Sequence, residues 1–357
     1  MVKGRIIIGA NYGDEGKGTV VAGYTKACQG RVLNVLTNGG AQRGHSILTE
    51  DGSMTFQHFG SGTYHGADSF FSRYYILNPI WFRTEYIRLF RKPEHIYRDK
   101  YCRWSTPFDV VANLITEAQR KRKASCGMGI WNTIRRCDHM PICTFDEFMA
   151  MEFPEKYLLQ VKEYYERQID IGNAEKIWRD TWNEPQLIQN FITDCRFMAE
   201  HTEAAELKTL DYDEVIFENG QGLLLTDTRK DTYDTTPSDT GITYGRWLAR
   251  EAGIEDITAH YVTRPYLTRH GDGEMMDNDR RSVISKDIRK DRTNHYNEHQ
   301  GEFRYGRLDI PMLRQRVAEN ADDIPFVLEV THCDEMDRIS EFRKEFTDIR
   351  TYDKPNI

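Results

Sequence analysis

The feature that most limits the fold of this chain is a set of short apolar runs, each ending next to a polar residue or glycine. Short continuous runs of this kind are typical of parallel strands that are buried on both faces. Because the carboxyl ends of parallel strands meet at one edge of a sheet, we expect ligands to bind at that edge. The sequence therefore predicts an α/β fold with a mainly parallel central sheet and flanking helices. The runs span residues 5–10, 32–38, 214–219, 259–264 and 325–331.

Helices are predicted between the strands, where apolar residues recur at three- and four-residue spacing among charged ones. The clearest stretches are 156–170 and 174–206. No repeat, low-complexity linker or composition break divides the chain, so all 357 residues are expected to form a single domain. We expect helical insertions in that domain at about 65–120 and 145–206. The segment 265–306 is dense in Arg, Asp, Asn, His and Gly, which predicts a long functional loop.

The charge of the chain argues against a nucleic acid or a membrane as its partner. Its 48 basic and 56 acidic residues are mixed along the chain, for a formal net charge of −8, and this mixture provides no broad basic surface. A phosphate-bearing substrate would instead need a local pocket of positive charge. No secretory signal, twin-arginine signal or apolar run of about 18 residues occurs. The prediction is a cytoplasmic protein, in the host cytoplasm if the chain is viral.

The cysteines predict reduced thiols and neither a disulfide framework nor a structural zinc site. They are odd in number and none has the C-x-x-C spacing of a zinc or redox motif. The seven are Cys28, Cys102, Cys126, Cys137, Cys143, Cys195 and Cys333.

A glycine-rich loop, "GANYGDEGKGT" (9–19), follows the first predicted strand and precedes a predicted helix, Thr19 to Ala27. In such a loop the backbone N–H groups and the helix N-terminus can hold phosphate groups, and Lys17 would add a positive charge. The standard pattern G-x-x-x-x-G-K-[ST] is broken by Asn11 and by Gly18. A simple tight turn is the alternative interpretation of this loop.

The two carboxylates inside the loop, Asp14 and Glu15, are its most informative residues. A carboxylate beside bound phosphate is electrostatically unfavourable unless it holds Mg²⁺ or moves a proton. Asp14 could do both.

The segment "GDEGKG" (13–18), together with "GGAQRGH" (39–45), resembles the adenylosuccinate synthetase family, whose motifs are W-G-D-E-G-K-G and G-G-x-N-A-G-H. Further motif matches follow in chain order over most of the sequence. The resemblance implies a carbon–nitrogen ligase that joins L-aspartate to C6 of a purine nucleotide, using Mg²⁺ and ATP or GTP. It also implies a parallel sheet with helices and a homodimer.

The resemblance implies two catalytic residues. Asp14 would take the N1 proton of a 6-oxopurine, and His45 would assist transfer of the γ-phosphate to O6 as an electrophilic stabiliser or general acid. Phosphorylation lets O6 leave as phosphate when the amine of aspartate attacks. Asp14 and the carbonyl of Gly44 would bind the metal. The implied triphosphate-binding residues are Gly13, Glu15, Gly16, Lys17, Gly18, Gly44, His45, Ser46, Thr331 and Asp334.

Four later segments imply the site of the purine monophosphate. "ASCGMGIW" (124–131) resembles the 5′-phosphate motif T-T-G-R-G-I-G, and "FENGQG" (217–222) resembles F-E-G-A-Q-G, whose Gln reads the purine edge. "TTPSDT" (235–240) and "LTRHGDG" (267–273) resemble V-T-S-S-N-T and the ribose-side loop S-T-R-V-G-A-G. Either Arg135 or Arg136 would correspond to an arginine that crosses the dimer. The implied residues are Asp14, Gln42, Ser125, Cys126, Gly127, Arg135, Arg136, Asn219, Gln221, Thr236 and His270.

The aspartate site and the donor-base site depart further from the family motifs. "QGEFRYGRLD" (300–309) stands where the family has G-R-R-R-R-T-G-W-L-D, and "VTHCDEM" (330–336) resembles the guanine-reading T-K-L-D with His332 in place of Lys. The family's S-T-G-P segment, which also touches that base, has no counterpart in the sequence, so ATP becomes a candidate donor. The implied aspartate-binding residues are Thr268, Arg269, Thr293, Asn294, Gln300, Gly301 and Arg304.

The departures resemble the bacteriophage branch of the family, which acts on dGMP and makes N6-succino-2-amino-2′-deoxyadenylate for 2-aminoadenine DNA. Gly301 replaces an arginine that lies near the ribose in bacterial members. Losing one charge-assisted hydrogen bond to the 2′-hydroxyl would forfeit about 1.5–3 kcal/mol of preference for ribonucleotides. Two alternatives stay open: synthesis of adenylosuccinate from IMP with GTP, and a nucleotide-dependent regulatory switch.

Overall fold

A nine-stranded parallel sheet forms the centre of the computed structural model, which describes residues 2–49, 52–120, 125–226, 235–271, 273–289, 291 and 301–353. Its strands are β1 (Lys3–Gly9), β2 (Val32–Leu36), β5 (Asp68–Phe71), β7 (Ile96–Arg98), β9 (Glu203–Ala204), β10 (Glu214–Glu218), β11 (Asp256–Thr263), β15 (Phe326–Val330) and β16 (Ile349–Thr351). The shorter strands outside it are β3 (His45–Thr49), β4 (Gly52–Phe56), β6 (Ile76–Leu77), β8 (Arg103–Trp104), β12 (Tyr266–His270), β13 (Asn278–Asp279) and β14 (Phe303–Arg307).

The five predicted strands are confirmed, and they are neighbours at the centre of the sheet. The spatial order is β16-β15-β11-β1-β10-β2-β5-β7-β9, in which β15, β11, β1, β10 and β2 are the predicted runs. Their ends are in register, since Ile7 of β1 lies opposite Glu218 of β10 and His260 of β11. The predicted α/β class is therefore correct, and the carboxyl ends of these strands form one edge.

Helices cover the faces of the sheet: α1 (Lys17–Ala27), α2 (Pro79–Arg88), α3 (Pro107–Arg120), α4 (Ile130–His139), α5 (Phe145–Met149), α6 (Pro154–Glu166), α7 (Lys176–Trp182), α8 (Leu187–Glu200), α9 (Thr243–Glu251), α10 (Arg281–Ile284), α11 (Ile310–Ala321) and α12 (Ile339–Glu345). The helix predicted over 156–170 corresponds to α6. The stretch 174–206 is divided into α7 and α8, because Pro185 lacks a backbone N–H and clashes with a preceding helical turn.

Segment 65–120 is not a purely helical insertion. It contains α2 and α3, but it also supplies β5 and β7 to the central sheet. Segment 145–206 is largely helical, with α5 to α8 and the edge strand β9. The two segments share a core in which Trp104, Phe108 and Trp182 are fully buried. A single domain remains our proposal for the whole chain.

The described parts of segment 265–306 contain three strands, where the sequence predicted a loop. Strands β12 and β14 pair antiparallel, with Arg269 opposite Arg304, and β13 pairs with the other edge of β14. The sequence of this segment is rich in charged residues and shows no sustained alternation of apolar and polar residues. All seven cysteines are free, as predicted. Within the described ranges, none of the helices has the length and apolar composition needed to cross a membrane.

Candidate active site

A cavity of about 910 Å³ lies at the predicted edge of the sheet, where the glycine loop, β3, the start of α4 and the segment after β11 meet. Of its described lining residues, six are Lys or Arg and four are Asp or Glu, so it is locally positive on a chain of net charge −8. This is the local pocket that a phosphate-bearing ligand requires. The predicted residues on its lining are Gly13, Asp14, Gly16, Lys17, Gly18, Gln42, Gly44, His45, Ser46, Ser125, Cys126, Arg135, Gln221, Thr236, Arg269 and His270.

The glycine loop has the backbone geometry of an anion site. Gly13, Asp14 and Gly16 have φ values of 96°, 62° and 95°, and α1 begins at the next residue, Lys17. Within this turn the N–H of Gly13 donates to Glu15, and the helix N-terminus adds its partial positive charge beside the cavity. Asp14 carries a side chain at positive φ, a strained conformation that concentrates at functional sites. The loop is therefore more than a tight turn.

The carboxylate of Glu15 holds the loop from inside and is not a ligand group. It accepts the backbone N–H of Asn11 at 3.0 Å and of Gly13 at 2.8 Å, and its other oxygen lies 3.2 Å from Nζ of Lys17. Lys17 also donates to the carbonyl of Gln221 at 2.6 Å. These bonds occupy both carboxylate oxygens of Glu15, and they fix the ammonium group of Lys17 on the cavity wall.

Three side chains anchor the loop from neighbouring strands. Thr268 donates to the carbonyl of Gly13 at 3.1 Å, and Thr331 donates to the carbonyl of Glu15 at 2.6 Å. Both threonines are buried behind the loop, and their roles as aspartate and triphosphate ligands remain predictions. Arg264 donates to the carbonyl of Asp14 at 2.7 Å. Sequence reasoning missed Arg264, which lines the cavity directly after β11.

Asp14 has the electrostatic setting of a general base. Burial raises the pKa of its carboxyl above the usual value, while His270, Arg264 and Lys17 oppose that rise. Nε2 of His270 lies 3.9 Å from the Asp14 carboxylate. A carboxylate whose pKa is raised binds a proton more strongly, which favours proton abstraction.

His45 belongs to a buried three-residue cluster with Glu218 and Arg43. Its Nδ1 lies 2.5 Å from Glu218 Oε1 and 3.0 Å from Arg43 Nη2. Burial and Arg43 lower the pKa of His45 to about 4. Burial raises the pKa of Glu218, but Arg43 and His45 outweigh it and bring that pKa to about 2. Glu218 is therefore ionised and His45 neutral, with its proton on Nδ1 and Nε2 left for a ligand.

Glu218 and Arg43 were both missed by sequence reasoning. Glu218 is a fully buried charged residue at the end of the apolar run in β10, and that pattern is the signal that could have identified it. Arg43 lies inside the quoted second motif, at a position where the family has alanine.

A second anion site is formed by the N-terminus of α4. Gly129, at φ 67°, is its N-cap and donates to Asn113 Oδ1 at 3.2 Å. Ser125 donates to the same oxygen at 2.9 Å and accepts from the N–H of Gly127 at 3.0 Å, so Gly127 shapes the turn behind the lining. Burial raises the pKa of Cys126 to about 11. The thiol is therefore neutral and adds no negative charge where a phosphate would bind.

The structure separates the two candidate arginines of α4. Arg136 is buried, and its guanidinium binds Asp109 at 2.8 and 3.1 Å and the carbonyl of Trp104 at 2.8 Å. These contacts are structural, so they favour Arg135 over Arg136 as the predicted phosphate ligand. Arg135 lines the cavity, with its guanidinium 5.5 Å from the centre of the Trp131 ring.

The side chain of Asn219 is hydrogen-bonded within the protein. Its amide oxygen accepts from the Thr37 hydroxyl at 2.5 Å, and its amide nitrogen donates to the carbonyls of Thr240 and Gly241 at 3.1 and 2.6 Å. This buried amide joins β10 to the 240–241 turn, and its role in reading the purine remains a prediction that these bonds do not favour. Gln42 lines the cavity, and both of its amide atoms are buried with no partner among the described residues. It is therefore better placed than Asn219 to contact a ligand.

The predicted aspartate site is only partly assembled. Arg269 lines the cavity, with its guanidinium 4.9 Å from the centre of the Tyr12 ring. Arg304 faces it across the small sheet and donates to the carbonyl of Gly273, a lining residue, at 2.5 Å, but Arg304 itself is not on the described lining. Gly301 has φ 74°. Thr293, Asn294 and Gln300 lie outside the described residues.

The predicted guanine-reading carboxylate is engaged by the protein itself. Asp334 forms an ion pair with Arg289, and Arg289 lines the cavity whereas Asp334 lies behind it. His332 also lines the cavity, with Nδ1 2.8 Å from the Thr331 hydroxyl. The role of Asp334 as a ligand of the base remains a prediction, and base binding would compete with its pairing to Arg289.

The site fits a magnesium ion that is held mainly by its substrate. The described residues contain no group of three or more His, Cys, Asp or Glu side chains able to hold a metal alone. The Asp14 carboxylate and Gly44 both line the cavity beside the glycine loop. One or two hard oxygen ligands from the protein, completed by phosphates and water, are typical of Mg²⁺.

Fold and site together show an α/β protein with two candidate anion sites in one positive cavity. The sequence model of one family, described as adenylosuccinate synthetase, matches residues 6–343. The chain therefore belongs to the adenylosuccinate synthetase family, whose members are carbon–nitrogen ligases that use a nucleoside triphosphate.

Curated relatives are distant. An adenylosuccinate synthetase of Thermodesulfovibrio yellowstonii is 25% identical over 362 residues, which cover 95% of this chain and 79% of the relative. That of Finegoldia magna is 24% identical over 280 residues, covering 75% of this chain and 64% of the relative, less than two thirds of its length.

Two solved structures share the fold. A fully ligated adenylosuccinate synthetase from Plasmodium falciparum has a TM-score of 0.69 at 18% identity, covering 94% of this chain and 78% of that one. The succinoaminodeoxyadenylate synthetase of cyanophage S-2L, bound to dGMP and to dATP as an energy donor, has a TM-score of 0.61 at 12% identity. It covers 99% of this chain and 91% of the cyanophage chain.

Proposed function

We propose that this protein joins L-aspartate to C6 of dGMP, through a 6-phosphoryl intermediate, and makes N6-succino-2-amino-2′-deoxyadenylate. ATP or GTP would supply the phosphoryl group. The observation that carries the proposal is the convergence of two anion sites on one cavity with Asp14 and His45. A nucleotide-dependent switch would need one anion site, whereas a ligase needs a triphosphate site and a monophosphate site together.

In the proposed reaction, Asp14 takes the proton from N1 of the 6-oxopurine, which increases the nucleophilicity of O6. O6 then attacks the γ-phosphorus, and the bond to the nucleoside diphosphate breaks. The amine of aspartate next attacks C6, and phosphate leaves with the former O6. Mg²⁺, held by Asp14 and Gly44, would neutralise charge on the phosphates. Lys17, fixed by Glu15 and Gln221, would donate to a phosphoryl oxygen.

His45 presents Nε2 to the ligand because Nδ1 is engaged by Glu218. In the neutral form that nitrogen accepts a hydrogen bond. An incoming phosphoryl group is anionic and favours the protonated ring, and the imidazolium can then donate to the phosphoryl oxygens. His45 would act as the electrophilic stabiliser of the transfer.

The choice of dGMP is supported by Gly301 and by the cyanophage enzyme with dGMP bound. Gly301 adopts φ 74°, a left-handed conformation that an arginine at this position would enter only with strain. Without that arginine, the proposed site loses a donor for the 2′-hydroxyl of a ribonucleotide. The engagement of Asp334 by Arg289 removes the expected acceptor for guanine, which supports ATP as the donor. Arg135 is our candidate for the residue that completes a partner's site in a homodimer.

The test is phosphate release by the purified protein with Mg²⁺ and aspartate, comparing dGMP, GMP, IMP and dIMP, each with ATP and with GTP. The highest kcat/KM with dGMP, together with a product of the expected mass, would support the proposal. Preference for IMP would identify ordinary adenylosuccinate synthesis. Phosphate release that requires neither a monophosphate nor aspartate would identify a nucleotide switch.

A further inference from the structure

Arg43 and Gly220 depart from the family motifs together, and they touch. The family has alanine at both positions, in G-G-x-N-A-G-H and in F-E-G-A-Q-G. A Cβ atom added to Gly220 would lie 3.1 Å from Cγ of Arg43 and 3.3 Å from its Cδ. These distances are tighter than normal packing, so the stem of Arg43 passes through space that a methyl group at 220 would crowd. The glycine makes room for the arginine.

The guanidinium of Arg43 is committed to Glu218. Its Nη2 donates to Glu218 Oε1 at 3.1 Å, and Nδ1 of His45, which donates to the same carboxylate oxygen, lies 3.0 Å from Nη2. Glu218 is held from its other side by Ser61, through the backbone N–H at 3.1 Å and the hydroxyl at 2.9 Å. Ser61 and Arg43 thus fix the carboxylate to which His45 is bonded.

Two further donors of Arg43, Nε and Nη1, are buried with no hydrogen-bond partner among the residues that the structure describes. A buried N–H without a partner is unfavourable for folding. An arginine retained for core stability alone would be expected to pair these donors. Its described polar contacts are with the Glu218–His45 pair.

We propose that Arg43 is a positioning residue that fixes the carboxylate of Glu218 and, through it, the His45 ring, so that Nε2 of His45 faces the transferred phosphoryl group. Arg43 also lines the cavity, but the proposed effect is exerted through Glu218. The kinetic consequence rests on the proposed ligase function, whereas the orientation of the His45 ring does not.

The kinetic test uses two variants that differ in one methyl group. R43A leaves a hole against Gly220, and R43A/G220A restores both family residues and fills it. We expect kcat to fall about 10- to 100-fold in both, the effect of a misplaced catalytic group, while KM for dGMP and ATP stays within about threefold. Guanidinium chloride below denaturing concentrations should restore activity in R43A more than in R43A/G220A. R43K, which keeps one charge, should be intermediate, and R250A on the exposed surface of α9 should match the wild type.

A structural test needs no activity. In ¹H–¹⁵N spectra of the imidazole groups, the short bond from Nδ1 of His45 to Glu218 predicts a downfield proton, assigned with H45N. That signal should broaden or move in R43A and R43K. A folded R43A/G220A variant with kcat within about twofold of wild type, or an unchanged His45 signal in R43A, would overturn the proposal. If the wild type releases no phosphate with any purine monophosphate, the proposed function fails, and the spectra still decide the role of Arg43.

Discussion

Replacing Arg136 should strongly destabilise the protein, whereas replacing its neighbour Arg135 should impair only substrate binding. Asp109 is fully buried, and Arg136 is its cationic partner at 2.8 and 3.1 Å. Removing one partner of a buried ion pair costs about 3–5 kcal/mol. Asp109 would still accept from the N–H and hydroxyl of Thr106 and from Tyr165, which places the loss near the lower end of that range. This is a large share of the roughly 5–15 kcal/mol by which a domain is stable.

The assay is urea unfolding of Arg136→Ala and Arg135→Ala, followed by circular dichroism. Arg135 is exposed, so its variant should lie within about 0.5 kcal/mol of the wild type. If Arg135 binds the 5′-phosphate in the proposed site, its loss should raise KM for dGMP about 10- to 150-fold, the equivalent of a charge-assisted hydrogen bond. A stable Arg136→Ala variant with an impaired KM would refute the assignment and make Arg136 the ligand.

Three other substitutions give separate tests. Asp14→Asn should lower phosphate release about 10²- to 10⁴-fold with an unchanged unfolding curve; near-normal release would exclude Asp14 as the base. Asp334→Ala should change the ratio of kcat/KM for ATP and GTP by less than about threefold, since Arg289 already engages that carboxylate; a larger change would return Asp334 to base recognition. Burial lowers the pKa of His58 from 6.5 to about 3. Between these values the unfolded chain binds the proton and the folded chain does not, so the free energy of unfolding should fall as pH drops from about 7 to 4, at up to about 1.4 kcal/mol per pH unit from this group. His58→Gln should flatten that slope in urea titrations, and an unchanged slope would contradict the buried neutral imidazole.

Local sequence was sufficient for the sheet and for the phosphate loop. The apolar runs that became β1, β2, β10, β11 and β15 are nearly continuous, and a strand buried on both faces needs no other information to be identified. The loop was equally easy to identify from its glycines, because Gly13 and Gly16 adopt left-handed φ values that few other residue types adopt. Asp14 and Lys17 belong to this loop, and His45 follows β2 after a short stretch of chain. Their positions on the cavity therefore follow from the sheet and the loop.

Local sequence could not separate residues whose roles depend on a distant partner. Arg135 and Arg136 are adjacent on one helix and identical in type. Asp109 of α3 forms an ion pair with Arg136, and this pair holds the Arg136 side chain in the core. Asn219 lies two residues from Gln221, yet its amide is hydrogen-bonded to Thr37 and to the carbonyls of the 240–241 turn.

The sequence by itself determined the α/β class, the loop that binds phosphate and the chemical types gathered at the strand ends. These depend on backbone conformation and on periodicity, which short stretches of chain specify. The tertiary structure decided which charged groups face a ligand and which are neutralised inside the protein. Glu218 reaches His45, Arg264 reaches Asp14 and Arg289 reaches Asp334 only after folding. The reason is that a buried charge must find its partner in space, and these partners lie far apart along the chain.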